Sequence, residues 1–466
     1  MSANATGSSQ IFVNTFTQNP QSAPAITALD DGGWLVVWES DGNGSVGQDG
    51  DWYGVYMQRY DAMGVAVGEE TQVNTTTASM QFETVVTMLD GGGWLVTWTS
   101  TLQDDPNLYG VYQQRYDATG GTMGTETLVN SFTTGSQRTS SVAALADGGW
   151  VVTWESSGQD GGSENVYQQL YDSDGKRVGG ETQVNATQTN DQGSPVVTAL
   201  ADGGWLVAWT STGQDGFSDG VYQRRYDADG NTSGSDIRVN QTTTESQWDA
   251  AVTGLADGGW LVTWTSLQNH TDNDVYQQRY DADGTAIGSE QRVNAYVTST
   301  QYQASTAALA DGGWVVTYTS YEGVDADIYQ QRYNADGVAV GGAAVVNLHI
   351  TGQQVSSSVT ALANGGWTVS WTGTGPEDDN GIYQRHFAAD VIGTALADTL
   401  SGTGWGEMLI GNAGNDTLDG KGGADILLGG FGNDTYVVDN KADDVQERAG
   451  QGSDTIKASV TFSLAG

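Results

Sequence analysis

The sequence predicts an all-β chain in two parts: a seven-bladed β-propeller of four-stranded blades over residues 1–391, then a parallel β-roll over 392–466. Three observations carry this. A Gly-Gly-Trp turn opens a near-copy of one segment seven times, at Trp34, Trp94, Trp150, Trp205, Trp260, Trp314 and Trp367, with spacings falling from 60 to 53 residues. Periods of this length mark propellers, solenoids or arrays. A Val-Asn signature also recurs seven times, at Asn14, Asn74, Asn130, Asn185, Asn240, Asn294 and Asn347, one unit out of phase with the turns. From Gly393 to Val437 the chain then divides into five consecutive nonapeptides.

Ser194 to Asn240 shows one unit. Pro195 to Leu200 alternates as a strand, Ala201-Asp202-Gly203-Gly204 turns tightly, and Trp205 to Thr210 is a second strand rich in β-formers. After the polar loop Ser211 to Asp219 come a third strand, Val221 to Tyr226, the turn Asp227-Ala228-Asp229-Gly230, and a fourth strand, Asp236 to Asn240. No stretch shows helical periodicity of useful length. The second strand is apolar on both faces, so both must be covered, and blades packed face to face around an axis cover them. Its paired tryptophans, such as Trp205 and Trp209, fill the space between blades rather than stack on sugars. The Val-Asn strand Ile11 to Asn14 precedes the first turn, while blade seven, Ser357 to Phe387, lacks a fourth strand of its own. Pairing the two closes a ring and removes two bare edges.

Two side chains recur without any rule of turn or core requiring them. Arginine stands in the third strand at Arg59, Arg115, Arg225, Arg279 and Arg332, with Leu170 and His386 in that place in blades three and seven. Its expected role is an ion pair with a neighbouring carboxylate or stacking on Tyr60 and its equivalents. Glutamine sits eight residues before the first-strand leucine in every blade: Gln21, Gln81, Gln137, Gln192, Gln247, Gln301 and Gln354. Entering the innermost strand, these glutamines are expected to ring one mouth of the central channel or to hydrogen-bond a neighbouring blade's backbone. The next position diverges, giving Ser22, Phe82, Arg138, Gly193, Trp248, Tyr302 and Val355. Divergence within a repetitive scaffold marks a candidate ligand surface, here Phe82, Arg138, Trp248 and Tyr302 with Gln81 and Gln247 beside them. The loops between second and third strands carry Gln48-Asp49, Gln103-Asp104, Gln159-Asp160 and Gln214-Asp215, replaced in blade five by Gln268-Asn269. They read as solvated turns, with calcium coordination there or at Asp41-Gly42-Asn43-Gly44-Ser45 as the alternative.

The last three nonapeptides match Gly-Gly-x-Gly-x-Asp-x-apolar-x closely, at Gly411 to Asp419, Gly420 to Leu428 and Gly429 to Val437. Glycines allow a tight turn with inward carbonyls, the sixth-place Asp adds an anionic oxygen, and the apolar eighth place builds a thin core. Oxygen-only ligands in a flexible loop imply calcium. The candidate ligands are the first- and third-place backbone groups and the sixth-place carboxylate of each repeat: Gly411, Ala413 and Asp416; Gly420, Gly422 and Asp425; Gly429, Phe431 and Asp434. Two nonapeptides make one turn of a roll, which places Asp398, Asp416 and Asp434 on one edge and Glu407 and Asp425 on the other. Leu396 and Trp405 displace the fourth-place glycine in the first two copies, which weakens their sites.

These nonapeptides, with Tyr436-Val437-Val438-Asp439 and Gly450-Gln451-Gly452-Ser453-Asp454-Thr455-Ile456 after them, resemble the repeats-in-toxin (RTX) family of haemolysin-type calcium-binding proteins. The resemblance covers about 75 of the 466 residues and implies calcium-triggered folding outside the cell, export by a type I secretion channel, and Asp454 as a further ligand. The propeller repeats are similar to those of large secreted RTX proteins. The His-Glu-x-x-His motif of the secreted metalloproteases that carry such rolls is absent from the sequence.

Composition narrows the partners. With 57 acidic and 16 basic side chains the net charge is -41, a field that repels nucleic acid and anionic membranes. No cysteine is present, which removes disulfides and thiolate chemistry. Met1 to Gln10 lacks the basic and apolar regions of a cleaved signal, and no stretch has the ~20 apolar residues of a membrane span. His270, His349 and His386 have no catalytic motif around them. The favoured expectation is a secreted or cell-surface calcium-binding protein whose propeller holds a glycan or another extracellular polymer. The alternatives are a polysaccharide-degrading enzyme with carboxylates at the channel mouth, or a structural surface-layer or matrix component.

Overall fold

A computed structural model describes residues 10–42, 47–103, 108–160, 162–268, 272–296, 299–447 and 450–462. Asn43 to Ser45, Asp104, Asn269, His270 and the two chain ends lie outside these.

The chain is all β: seven antiparallel four-stranded sheets followed by two parallel four-stranded sheets. Among the described residues no helix is long and apolar enough to cross a membrane. Blade four runs Gln192–Ala199, Trp205–Thr212, Asp219–Tyr226 and Ile237–Arg238, paired in that order. The first strand of each blade is innermost and packs against the first strands of its neighbours. Blade seven, Gln354–Ala361, Trp367–Gly373 and Gly381–Phe387, takes its outer strand from Ile11–Phe12 at the start of the chain. The ring is therefore closed by the N-terminal strand, as the phase of the Val-Asn signature requires.

Each repeated residue has a defined job. The signature asparagine accepts the amide of the third strand through Oδ1, as from Val55 to Asn74 and from Val111 to Asn130. Asn14 does the same for Ile382 at 2.7 Å, so the first copy of the motif ties the two ends of the propeller together. In six blades the first tryptophan stacks on its own third-strand tyrosine, as Trp205 on Tyr226 at 5.0 Å, and in blade seven Trp367 stacks on Phe387 at 5.3 Å. The indole N–H of the first tryptophan reaches the preceding blade: Trp150 donates to Gln113, Trp205 to Gln168, Trp260 to Gln223, and Trp34 to Gln384 across the closure. Blade one has Met57 where the others have this glutamine, and the Trp94 indole N–H is left without a partner.

Four of the five repeated arginines pair with carboxylates, Arg59 with Asp31, Arg225 with Asp202, Arg279 with Asp257 and Arg332 with Asp311, and Arg115 donates to the Ser173 carbonyl instead. Stacking on Tyr60 and its equivalents is not what they do. Each guanidinium lies over the first tryptophan of the next blade, from 4.8 Å for Arg115 on Trp150 to 5.9 Å for Arg59 on Trp94. The register of the third strand, Leu35 opposite Arg59 with Trp34 opposite Tyr60, turns arginine and tyrosine to opposite faces of the blade. In blade seven His386 takes the same place, stacked on Trp34 at 5.5 Å.

The roll alternates between its two sheets. Val391–Ile392, Met408–Ile410, Ile426–Leu428 and Asp444–Val445 form one; Thr399–Ser401, Thr417–Asp419, Thr435–Val438 and Thr455–Ala458 form the other. Its first strand straddles the boundary expected between residues 391 and 392. Leu400, Leu409, Leu418, Leu427 and Tyr436 stack into the thin core between the sheets. Trp405, standing where the repeat wants glycine, packs edge-on against His386 at 4.6 Å. Beside it the fully buried Arg385 donates to the Val346 and Ala424 carbonyls. Burial pushes this guanidinium down to about 10 against the opposing pull of Asp425 and Asp443. The roll is seated on blade seven and is not a separate bead.

Candidate functional site

The roll edges carry two ladders of carboxylates. On one, the amide of Asp398 donates to Asp416 Oδ1, that of Asp416 to Asp434 Oδ1 and that of Asp434 to Asp454 Oδ1, at 2.7 to 2.9 Å. On the other, Glu407 donates to Asp425 and Asp425 to Asp443. One carboxylate oxygen of each rung thus fixes the loop above it. The other points inward: Asp416, Asp425 and Asp434 are each 1% exposed, and their Oδ2 atoms have no hydrogen-bond partner, nor has Glu407 Oε2. Burying such oxygens uncompensated is costly, and a divalent cation is what removes the cost. Burial first, then repulsion from Glu407 and Asp443, raises the Asp425 carboxyl well above the carboxylate range.

Glycine at the first place makes the cage possible. A Cβ on Gly411 would lie 2.5 Å from both Asp416 Oδ2 and the Gly429 carbonyl, and one on Gly402 would lie 2.6 Å from the Gly420 carbonyl and 2.7 Å from Glu407 Oε2. The oxygens converge where a side chain would stand. Ala413 and Phe431 pair in parallel register one turn apart, and the Phe431 carbonyl accepts from Gly414, keeping a second lone pair. Gly422 leaves open space with only the Gly404 backbone at 4.0 Å. Asp398 is different, because its Oδ2 is engaged by the Thr394 amide and hydroxyl, which hold its carboxyl below the usual range.

Asp443 was not among the sequence candidates although it extends the ladder. Its signal was present: it falls nine residues after Asp434 and eighteen after Asp425, in phase, in a copy whose glycines are gone.

At the propeller's axial end, the expected glutamine ring is overturned. Gln81 and Gln247 are fully buried, as are all seven glutamines. Gln81 accepts from Asn74 and donates to the Ala78 carbonyl; Gln247 accepts from Asn240 and donates to Thr244 and Glu245. In Gln21, Gln192 and Gln354 the acceptor oxygen takes the indole N–H of the second tryptophan of the same blade. They are held by their own blade, the loop before their strand and, for Gln81 and Gln247, the asparagine of the preceding blade, because a buried amide must satisfy both its ends locally.

The diverged residues behave differently. Phe82, Arg138, Trp248 and Tyr302 are half-buried at equivalent positions of four inner strands. Phe82 meets Tyr109 edge-on at 5.9 Å, Tyr302 stacks on Tyr321, and Arg138 pairs with Glu155 and Glu164. Right after them a bulge sets the inner strand's next residue in left-handed backbone in all seven blades: Ala23, Glu83, Thr139, Ser194, Asp249, Gln303 and Ser356, with φ between 49° and 58°. None is glycine, so each stores roughly 1–2 kcal/mol of strain. Such strain concentrates at functional sites.

This ring gathers carboxylates that the sequence reading missed. Glu39 accepts the Glu83 amide at 2.6 Å, Glu83 accepts the Thr139 amide at 2.8 Å, and Glu155 accepts the Ser194 amide at 3.1 Å, each from one blade to the next. Burial, and then Glu83, push the Glu39 carboxyl up to about 8. Burial also raises Glu155 and Asp249. The clue was disagreement among copies, since Glu39 and Glu155 stand where the other blades have threonine. In the second-to-third strand loops Asp49 and Asp215 each accept an amide two residues on, as ordinary turn formers.

Comparison with known proteins bears on the roll. The profile of the RTX calcium-binding nonapeptide repeat matches four copies over residues 406–436. The chain carries RTX calcium-binding repeats. No curated protein matches it. Among solved structures, a protein of unknown function from Dyadobacter fermentans is similar at 11% identity, covering 81% of this chain and 97% of that one, with a TM-score of 0.46. An α-L-arabinofuranosidase of Fusarium graminearum complexed with arabinobiose is 13% identical over 82% and 97%, TM-score 0.47. The β-propeller domain of a protease from Pyrococcus furiosus is 9% identical over 80% and 94%, TM-score 0.45. Likeness of this order leaves the chemistry of the propeller unassigned.

Proposed function

We propose that this is a secreted, calcium-dependent binding protein in which the RTX roll folds on calcium outside the cell and the propeller's axial end holds a neutral glycan or similar polymer. The reading rests on one observation: half-buried aromatics, Phe82, Trp248 and Tyr302, stand where the blades diverge, directly before a strained ring that supplies carboxylate acceptors. Aromatic faces suit the C–H faces of sugars, carboxylates accept their hydroxyls, and the net charge of -41 disfavours anionic polymers. In the roll, Asp416, Asp425 and Asp434 with the first-place carbonyls would hold calcium. Bound calcium supplies the countercharge that lets the cage close.

A glycan array probed with the chain, with and without calcium, tests this. Neutral glycans retained by the wild type and lost in Phe82→Ala and Trp248→Ala support it; no retention under either condition removes it.

The raised carboxyl of Glu39 beside Glu83 favours a second reading, cleavage of a polysaccharide with Glu39 as the proton donor. Reducing ends or unsaturated products released from a neutral polysaccharide, and abolished in Glu39→Gln, would select it over simple binding.

A further inference from the structure

We infer that the C-terminal turn of the roll forms a three-carboxylate calcium site in which Glu447, outside the nonapeptide pattern, is a ligand together with Asp434 and Asp454. Ligand oxygens of these three residues lie within 4.8 Å of one another. Asp434 is 1% exposed, and its Oδ2 points into the group without a hydrogen-bond partner. One oxygen of each aspartate is already committed, Asp434 Oδ1 to the Asp416 amide and Asp454 Oδ1 to the Asp434 amide, which leaves the other to the group; Asp434 forms its buried floor, and Glu447 and Asp454 close it from the exposed side.

The phase of the roll explains why Glu447 can reach. It stands eighteen residues after Gly429 and so occupies the first place of a loop, where earlier turns on this edge have Gly393, Gly411 and Gly429. A Cβ at that place aims at the sixth-place carboxylate, 3.1 Å from Asp398 Oδ2 at Gly393 and 2.5 Å from Asp416 Oδ2 at Gly411. In those turns the aspartate stands five positions after the first place, and a side chain there would collide with it. Glu447 and Asp454 stand seven positions apart, so the copy that carries Glu447 does not have that spacing. Tyr436 holds it there. Its hydroxyl takes the Gly429 amide at 2.8 Å and donates to Glu447, a contact that the leucine of the neighbouring repeats could not make.

Three clustered carboxylates repel one another until a hard cation neutralises them, and calcium affinity rises with ligand charge and rigidity. The preceding site on this edge has two, Asp416 and Asp434. The C-terminal site is therefore the tightest of the roll, and the turn Thr435–Val438 to Thr455–Ala458 orders first as calcium rises. The inference rests on the roll's calcium binding and is independent of the glycan reading.

Calorimetric calcium titration of the full chain tests it, with Glu447→Gln, Glu447→Asp and, as control, Asp398→Asn. The expected result is that Glu447→Gln weakens the tightest class at least tenfold, Glu447→Asp falls between it and the wild type, and Asp398→Asn leaves that class unchanged. A Glu447→Gln isotherm superimposable on the wild type overturns the inference. Should Glu447→Gln fail to order the roll at any calcium level, Glu447→Asp decides alone: a weakened tightest class supports the site, an unchanged one overturns it. A wild-type chain that takes up no calcium fails the calcium reading itself, a distinguishable outcome.

Discussion

Glu39→Gln isolates one buried carboxyl at the propeller axis. Glu39 is 8% exposed, and its carboxyl sits at about 8 against an ordinary 4.5. Below pH 4.5 the folded and unfolded chains both hold the proton, and its stabilising effect is fully present. Between 4.5 and 8 the unfolded chain releases it while the folded chain keeps it, so stability falls by about 1.4 kcal/mol per pH unit, on the order of 5 kcal/mol in all. Glutamine keeps an acceptor for the Glu83 amide and removes the titration. Unfolding entropy of about 2 cal/mol/K per residue gives roughly 0.8 kcal/mol/K across the blades, so the variant's Tm advantage grows from near zero at pH 4.5 to about 6 °C at pH 8.5. Scanning calorimetry in saturating calcium across that range reads it directly. A difference between variant and wild type that does not change with pH would refute the burial of Glu39 as the cause.

Three further outcomes follow from the packing. Chelation of calcium should remove hydrogen-exchange protection from the strands between Thr399 and Ala458 while the blades stay protected; unchanged exchange in the roll would contradict the cage of unpartnered carboxylates. Gly423→Ala places a Cβ against the Trp405 carbonyl in backbone at φ +145°. With roughly 1–3 kcal/mol of strain, the calcium midpoint for ordering the roll should rise about 5- to 150-fold, with the propeller Tm unmoved. Gln168→Met strips the Trp205 indole of its acceptor and should cost about 1–3 kcal/mol, whereas Met57→Gln offers one to Trp94 and should gain about 1 kcal/mol. Effects of the same sign in the two variants would count against the interblade bond.

Much of this was legible because it is periodic. The Gly-Gly-Trp turns and the offset Val-Asn strands settle blade number and closure, since the pattern of each copy is local and its repetition needs no tertiary information. The nonapeptide phase likewise puts Asp398, Asp416 and Asp434 on one edge and Glu407 and Asp425 on the other, because period fixes direction in a roll. Asp443 and Glu447 keep that phase but lose the glycines, so composition hid them. What only the tertiary structure decided is where side chains from different copies meet. Gln81 and Gln247 follow a perfect repeat yet are structural, because the loop before each inner strand and the asparagine of the preceding blade supply partners that make burial cheap. Glu39, Glu83 and Glu155 take the amides of the next blade only because a left-handed bulge turns those amides toward them. Trp405 reads as a defect in its repeat until the roll is set against His386, where the same residue is one of the contacts between blade seven and the roll. Sequence determined the scaffold, since repeats specify neighbours along the chain; the tertiary structure decided which carboxylates are desolvated together, since residues far apart in sequence share a buried space only once the blades pack.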